Sequence, residues 1–438
     1  MEEEDVHPYA LLPEDPTTEA IISWIDQRSD DDRHDEQTLE YGTGPDNLEH
    51  TAESDGEEFA ENSDILRFEV SLDDLESDTE YHAQIVCDSG ETVDGISFRT
   101  LPDDLSDADD GLNIIVTSDI HIDKEMEDDE AMQDLADQDP DMLLIAGDVV
   151  SNGYEESDEI EDYWLDFWDN YMEHINEDFL VPMMMVPGNH EVGNGSGWDG
   201  SGSVEPDAGY FQFFFTNTVD LDPTGENYAE VTISDYLQVI GLDTHSAEID
   251  DTAAWLEDNI NTDVDMVLPF HHCPILAGGS RSSSDDDLEE NLREAWAPIY
   301  ADAGNVYASF SGHIHVRKRT KRWTVVDEEP DDGDYTELDD GYIVEDENGI
   351  VEFGDGMRSN RSVNDDWYLE TSDDDEEQFY SLTIEQDLDV VELEVDEHYA
   401  YDGDTYNSEI FRTDDDMVDM EDEYSNYGFV RTGRLEVS

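Results

Sequence analysis

The stretch NIIVTSDIH, residues 113–121, places two polar residues directly after an apolar run. An uninterrupted apolar run is typical of a strand buried on both faces, as in a parallel sheet covered by helices. Asp119 and His121 follow this run where the strand should end. The stretch therefore predicts an α/β fold in which the carboxyl end of a buried strand carries chemistry.

Four further segments repeat this arrangement of an apolar run followed by polar residues. They are residues 141–148 (DMLLIAGD), 181–191 (VPMMMVPGNHE), 265–272 (DMVLPFHH) and 305–315 (NVYASFSGHIH). Helical patterns are predicted between strands, around residues 126–138, 158–179, 252–261 and 288–300. This alternation predicts βαβ units and sheets covered by helices.

The polar residues at these strand ends form a candidate metal site. Carboxyl ends of strands are where ligands bind in α/β folds. In an extended segment, residues i and i+2 face the same side, so DIH and HIH would each present two donors. Imidazoles mixed with a few carboxylates suit Zn, Mn or Fe. A single histidine after a strand is more often a core residue, and it is the five segments together that favour a site. The candidates are Asp119, His121, Asp148, Asn189, His190, Glu191, His271, His272, His313 and His315.

The composition is extremely acidic. The 438 residues include 123 Asp and Glu against 17 Lys and Arg, a net charge of −106. Self-repulsion on this scale opposes a compact state unless salt screens it. The 37% hydrophobic content nevertheless supports a large core. We therefore predict a folded protein that lives in concentrated salt, with a composition resembling that of salt-loving archaeal proteins. Nucleic acid is disfavoured as a partner except at a local basic patch.

One such patch exists at residues 317–322, RKRTKR. Two interpretations are open. The run could be a strand whose cations pair with acidic neighbours, or it could form an anion-attracting rim beside the candidate site. In the second case Arg317 and Arg319 would bind a phosphate-bearing substrate.

The chain is predicted to contain two domains. Short apolar runs between turns indicate a β-sandwich over residues 1–102, followed by a polar linker, 103–112. The α/β domain is expected at 113–400 with an irregular acidic insertion around 323–377. Its tail is expected to form an exposed hairpin, and 401–438 to be an acidic extension. No apolar run is long enough to span a membrane, and no export signal is visible, so a cytoplasmic location in a salt-accumulating cell is expected. An extracellular or virion-associated location stays open.

The ordered set SDIH, GD, GNHE, H and GHIH resembles the calcineurin-like metallophosphoesterases. The β-sandwich in front, similar to a fibronectin type III domain, makes the chain look like the purple acid phosphatase branch. The resemblance implies a four-layer α/β/β/α domain with a separate all-β sandwich, and a dinuclear metal centre. A bridging hydroxide would be the nucleophile in phosphate ester hydrolysis.

The resemblance also implies a role for each candidate. Asp119, His121 and His315 would hold one metal, and Asp148 would bridge to the other. The second metal would be held by Asn189, His313 and one histidine of the 271–272 pair. Pro274 favours His272, and His271 stays open. His190 would assist the leaving group, with Glu191 or another carboxylate orienting it.

One position departs from the purple enzymes. They carry a metal-ligating tyrosine three residues after the bridging aspartate, where this chain has Ser151. Manganese, zinc or a site with ferrous iron is therefore expected rather than a purple ferric centre. A phosphomonoesterase is the first functional prediction. The alternatives are a phosphodiesterase or nuclease, and a non-catalytic interaction protein that binds through its sandwich.

Overall fold

The structure is a computed structural model. It describes residues 6–27, 36–58, 65–87, 92–108, 111–122, 129–151, 158–176, 179–192, 209–216, 228–245, 249–279, 283–330, 333–354, 363, 365–373, 378–387, 390–399 and 405–413.

The strands, in chain order, are β1 Val6–Leu11, β2 Ala20–Asp26, β3 Glu36–Gly42, β4 His50–Asp55, β5 Glu57–Glu58, β6 Leu66–Leu72, β7 Glu80–Cys87, β8 Thr92–Arg99, β9 Leu112–Thr117, β10 Met142–Ile145, β11 Pro182–Met185, β12 Tyr228–Ile233, β13 Leu237–Leu242, β14 Met266–His271, β15 Ala308–Ser311, β16 Arg317–Thr320, β17 Trp323–Val326, β18 Tyr335–Leu338, β19 Gly341–Glu345, β20 Val351–Gly354, β21 Leu369–Asp373, β22 Gln378–Asp387, β23 Val390–Tyr399 and β24 Thr405–Arg412. The α-helices are α1 Asp129–Ala136, α2 Asp158–Asn170, α3 Gly209–Phe214, α4 Ile249–Asn259 and α5 Ser283–Ala303. A single π-helical turn, Tyr171–Ile175, extends α2, and a 3₁₀ turn spans Leu105–Asp107.

Two sheets form the centre of the α/β half of the chain. In the first, β9, β10 and β11 are parallel neighbours, with Leu143 paired to both Ile115 and Met183. In the second, β13, β14 and β15 are parallel neighbours, and His271 pairs with both Leu242 and Ser311. Parallel pairing brings the carboxyl ends of neighbouring strands to a common edge, so the predicted polar segments meet there.

Three apolar clusters give this half its layers. One lies between the two sheets and includes Leu144 of β10 and Phe270 of β14. A second covers the outer face of the first sheet with α1, α2 and α3, and includes Trp164. A third covers the second sheet with α4 and α5, and includes Trp296. The result is the α/β/β/α order that was expected.

The N-terminal β-sheet domain is confirmed, and it is joined to the α/β half more closely than a linker would require. Strand β1 runs parallel to β11, with Leu11 paired to Met183. One sheet therefore continues from β24 through β9–β11 to β1, β2, β6 and β5. The other N-terminal sheet has the order β4-β3-β7-β8. Tyr9 stacks on Trp168 of α2 at 4.1 Å between ring centroids, which adds a side-chain contact to the shared strand pairing.

The acidic region 323–377 is more regular than predicted. Strands β17, β19 and β18 form a small antiparallel sheet, and β20 lies between β15 and β16 in the second central sheet. All four residues of β20 are buried. Acidic residues such as Glu352 interrupt the apolar pattern there, and this interruption hid the strand from periodicity reasoning.

The hairpin predicted near residues 378–400 is present as β22 and β23, but it is not an exposed appendage. Strand β22 pairs with β9, placing Tyr380 opposite Val116, and Leu382 and Ile384 are buried between the sheets. Strand β24 continues this sheet, and residues 414–438 of the predicted extension lie outside the described part. Among the described helices, none combines the length and apolar character needed to cross a membrane.

Candidate active site

The predicted donors lie immediately after their strands, in loops with an unusual backbone. A positive φ, between 53° and 78°, is found at Asp119, His121, Asp148, His313 and His315. Residues other than glycine rarely adopt this left-handed region, and such strain clusters at functional sites. The DIH and HIH segments are therefore not extended, as the sequence suggested. Local left-handed turns, rather than the strand pleat, aim their side chains.

A first donor group is formed by Asp119, His121 and His315, together with Asp148. One ligand atom from each of these four residues lies within 4.8 Å of the others, and all four residues are buried. The Nε2 atoms of His121 and His315 are 3.0 Å apart. His315 Nε2 lies 3.1 Å from Asp119 Oδ1. Two of these residues come from segments nearly 200 positions apart, which the sheet edges bring together.

A second donor group is formed by Asn189, His272 and His313. Asn189 Oδ1 lies 2.9 Å from His313 Nδ1 and 3.4 Å from His272 Nε2. The two imidazole nitrogens are 3.2 Å apart. His272 Nε2 is also 3.2 Å from Asp148 Oδ2, so Asp148 contacts both donor groups.

The donor set fits metal ions. His272 Nδ1 lies 2.7 Å from the carbonyl oxygen of Ala146, which can only accept a hydrogen bond. Nδ1 therefore carries a proton, and Nε2 is the atom of this ring that is turned toward the other donors, as in metal-ligating histidines. Within the described residues, the buried Asp148 Oδ2 accepts no well-formed hydrogen bond, although imidazole Nε2 atoms lie 3.2 to 3.9 Å away. A metal ion between the two donor groups would bind carboxylate and imidazole atoms that already point toward one another.

The electrostatics of the site couple its carboxylates to its imidazoles. Burial raises the pKa of Asp148, but the charges of His272 and His190 outweigh burial and hold that pKa well below its usual value. For His272, burial lowers the pKa, yet the neighbouring Asp148 raises it to about 9. Burial lowers the pKa of His121 to about 3. The anionic aspartates thus attract positive charge into a buried pocket, as a cation site requires.

The paired histidines point in different directions. His272 joins the second donor group, whereas His271 Nδ1 donates to the carbonyl oxygen of Cys273 at 2.8 Å. Its ring packs on Trp296 and Tyr300 in the core beneath the sheet. Burial lowers the pKa of His271 to about 4. Of the two sequence candidates, only His272 is placed among the donors.

His190 is the partly exposed imidazole beside the cluster. Its side chain is 27% exposed, and its Nε2 lies 3.9 Å from Asp148 Oδ2. Its Nδ1 is 2.5 Å from the carbonyl oxygen of Ser151, which fixes the proton on Nδ1. The backbone N–H of His190 donates to Asp148 Oδ1 at 2.8 Å. The group that orients His190 is therefore the Ser151 carbonyl, and its ring also meets His121 edge to face at 4.6 Å.

Glu191 does not orient His190, contrary to the sequence interpretation. It is fully buried, and its carboxylate accepts backbone N–H groups from Gly188 at 2.8 Å, Asp148 at 2.7 Å and Val149 at 3.0 Å. Burial, with the nearby Asp148 charge, raises the pKa of Glu191 to about 8. This carboxylate fastens the GD and GNHE loops to each other and so sets the position of Asp148.

Two glycines allow the loops to approach. A Cβ at Gly188 would lie 2.1 Å from Asp148 Oδ1, and one at Gly312 would lie 2.4 Å from Asp119 Oδ2. Either contact would displace a carboxylate of the cluster. Glycine is therefore required at both positions by close approach rather than by a special φ.

The basic run pairs with acids, which was one of the two interpretations open from the sequence. Arg319 is nearly buried and lies beside Glu370 at 3.0 Å and Glu409, while Arg322 pairs with Glu409 at 2.5 Å. Lys318 is buried against Glu352. Carboxylates already surround the Arg319 guanidinium, so its surroundings do not favour the predicted role in substrate binding. Arg317, half-buried at the start of β16, stays a prediction.

Sequence reasoning missed His245. It follows β13 and is buried, with its ring centroid 5.2 Å from that of His272 and 5.3 Å from that of His313. Its backbone N–H donates to Asp243 Oδ1 at 2.7 Å. The available signal was its place at the carboxyl end of a buried strand, the same signal that selected the other donors.

Ser151 occupies the position where a purple enzyme would carry its tyrosine. Its hydroxyl donates to the carbonyl oxygen of His121 at 2.9 Å. The side chain therefore supports the loop of the first donor group rather than joining the donors.

Buried imidazoles, two aspartates and a carboxamide at the meeting edge of two helix-covered sheets define a metal-dependent hydrolase of the metallophosphoesterase class. The comparisons with known proteins agree. Residues 112–317 match the calcineurin-like phosphoesterase family, and residues 6–100 match the purple acid phosphatase N-terminal domain. The chain thus contains a calcineurin-like phosphoesterase domain preceded by a purple acid phosphatase-type N-terminal domain, and it is a phosphoesterase hydrolase.

Two solved structures share the fold. A purple acid phosphatase, PPD1, from yellow lupin (Lupinus luteus) seeds is 14% identical with a TM-score of 0.64, over 92% of this chain and 73% of that one. The structure of PhoD is 13% identical with a TM-score of 0.69, over 94% of this chain and 90% of that one. No curated protein sequence matches the chain.

Proposed function

We propose that the protein is a phosphomonoesterase with two metal ions, one in each donor group. Asp119, His121 and His315 would hold the first ion and Asn189, His272 and His313 the second, with Asp148 shared. The observation that carries this proposal is the position of Asp148. Its buried Oδ2 lies 3.7 Å from His121 Nε2 on one side and 3.2 Å from His272 Nε2 on the other.

When bound, a pair of divalent ions activates water and polarises the phosphoryl oxygens. Manganese, zinc and ferrous iron suit the mixed nitrogen and oxygen donors. No phenol is offered at Ser151, whose hydroxyl is engaged by the His121 carbonyl. A purple ferric centre is therefore not part of the proposal.

The chain itself would protonate the leaving group. His190 belongs to neither donor group, and its partly exposed side chain places Nε2 3.9 Å from Asp148 Oδ2. Because Ser151 holds the proton on Nδ1, the protonated ring would offer Nε2–H to the departing oxygen. Proton donation of this kind contributes about 10²–10⁴-fold to rate.

A monoester is favoured over a nucleic acid because the basic run is already neutralised. The pairing of Lys318, Arg319 and Arg322 with carboxylates removes the patch that would have supported a polyanionic partner. A diesterase acting on a small nucleotide is the second candidate, since the donor groups alone do not distinguish one ester bond from two.

The test compares p-nitrophenyl phosphate with its bis ester, in multimolar KCl, after EDTA treatment and reconstitution with Mn²⁺ or Zn²⁺. Metal-dependent turnover of the monoester is expected, with Asp148→Asn reducing kcat by at least about 10³-fold. Preferential turnover of the bis ester would replace the monoesterase by the diesterase. A protein that binds both ions and hydrolyses neither ester would favour the non-catalytic alternative.

A further inference from the structure

A fully buried ion pair lies behind the second donor group. Lys318 of β16 and Glu352 of β20 have side chains with no exposed surface, and Nζ is 3.2 Å from Glu352 Oε1. The two strands are antiparallel neighbours, so the pair lies within the sheet that ends at the candidate site. Neither residue is a donor to the cluster.

The carboxylate of the pair holds the segment that follows His272. Glu352 Oε1 accepts the backbone N–H of Ile275 at 2.9 Å, and Oε2 accepts that of Leu276 at 2.8 Å. These amides are three and four residues beyond the His272 imidazole. Because both carboxylate oxygens accept backbone hydrogen bonds, the Glu352 side chain holds the backbone of Ile275 and Leu276 in place.

The ammonium group of the pair holds the segment that precedes His313. Lys318 Nζ donates to Ser311 Oγ at 3.1 Å, at the end of β15 and two residues before His313. The segments are also joined directly, because Gly312 N–H donates to the carbonyl oxygen of His272 at 2.8 Å. The ion pair therefore contacts both of the loops that deliver imidazoles to the second donor group.

Stability alone is a weak reason for such a pair. Removing two charges from water is costly, and apolar replacements of similar volume are often equally stable or more stable. An apolar replacement could not make the hydrogen bonds that this pair makes to the two loops. Such supporting hydrogen bonds orient metal ligands.

We propose that Lys318 and Glu352 are positioning residues for the second metal ion, acting through the loops of His272 and His313. This inference rests on the proposed metal centre and deepens it. Lys318, a residue of the basic run that was not among the predicted substrate-binding residues, thereby receives a role. The hydrogen bonds of this pair go to Ile275 and Leu276 after His272 and to Ser311 before His313, so the larger effect is expected at the second ion.

The experiment measures Mn²⁺ binding to the metal-free, full-length protein by titration calorimetry in KCl. A His121→Ala background reports the second donor group, and a His313→Ala background reports the first. Glu352→Gln and Lys318→Met are each introduced into both backgrounds. Binding about 10–100-fold weaker is expected in the first background, with a change of less than about twofold in the second.

Arg319→Met is the matched control, because it removes a neighbouring cation of β16 that is paired with Glu409 instead. It is expected to lower the unfolding temperature and leave Mn²⁺ affinity within about twofold in both backgrounds. Equal losses in both backgrounds for the Lys318 and Glu352 variants would show a general structural role and overturn the inference, as would no loss at all.

Ser311→Ala keeps the inference testable if the charge variants do not fold. It removes only the hydroxyl that Lys318 contacts, and a selective loss at the second donor group is again expected. A wild-type protein that binds two Mn²⁺ ions without hydrolysing esters would overturn the proposed function while leaving this result interpretable. A wild type with only one ion-binding donor group would overturn the dinuclear centre itself.

Discussion

Asp148 adopts a backbone conformation that costs free energy on folding. It sits at φ 55°, and four other donor residues share this left-handed conformation. Each such residue costs on the order of 1–3 kcal/mol, which the surrounding structure must offset. Glu191, with three backbone N–H groups at its carboxylate, is one source of that compensation.

His190 leads to the first prediction. His190→Ala should leave Mn²⁺ stoichiometry unchanged and lower kcat by about 10²–10⁴-fold with an alkyl phosphate, because a poor leaving group needs the proton. With p-nitrophenyl phosphate the loss should be much smaller, since that leaving group departs as a stable anion. Steady-state kinetics with both substrates checks this. An equal loss on both would assign His190 to substrate positioning rather than proton donation.

His271 leads to a prediction about pH. Burial lowers its pKa to about 4 in the folded protein, against about 6.5 in an unfolded chain. The unfolded state therefore binds a proton first as pH falls, and folding stability is lost from pH 6.5 toward pH 4. At pH 5 the loss amounts to about 2 kcal/mol.

His271→Asn keeps a donor for the Cys273 carbonyl but cannot titrate in this range. Chemical denaturation of both metal-free proteins at pH 7.5 and pH 5 measures the effect. The variant should be the less stable protein at pH 7.5, from lost packing on Trp296, and should lose less stability on acidification. Parallel losses in the two proteins would refute the assignment.

Among the secondary-structure elements, β1 has the most consequential place. It covers the edge of β11, whose Met183, Met184 and Met185 are all buried. A fragment of residues 103–438 would expose this edge, and unpaired edges associate with other strands. We expect the fragment to elute as aggregate in size-exclusion chromatography, while the full chain elutes as a discrete species. A monodisperse fragment that binds Mn²⁺ like the full chain would show that the boundary near residue 102 separates independent domains.

Elements also show where periodicity reasoning succeeds and fails. Strands β9, β10, β11, β14 and β15 were predicted because each is buried on both faces and reads as an apolar run. Strand β20 was not, because Glu352 lies inside it. That carboxylate is satisfied by two backbone amides and Lys318, partners that come from distant parts of the chain.

At the level of the whole molecule, the net charge of −106 is the dominant feature. We predict that raising KCl from 0.1 M to 3 M increases the unfolding temperature on the order of ten degrees, because screening reduces repulsion between carboxylates. Differential scanning calorimetry of the metal-free protein checks this. Tetramethylammonium chloride at equal concentration separates screening from specific K⁺ binding, since screening predicts a similar rise with both salts. An unfolding temperature that falls or stays level would contradict the expected adaptation to salt.

The order of motifs along the chain was sufficient for the class of fold, the donor residue types and the choice of strand ends. A strand buried on both faces is an uninterrupted apolar run in the sequence, and the polar residues beside glycine mark the end of that strand. The core position of His271, the loop-fastening role of Glu191 and the neutralisation of Arg319 came from the folded chain alone. Each depends on a partner far away in sequence, such as Trp296, Asp148 and Glu409, and local patterns carry no information about contacts that only packing creates.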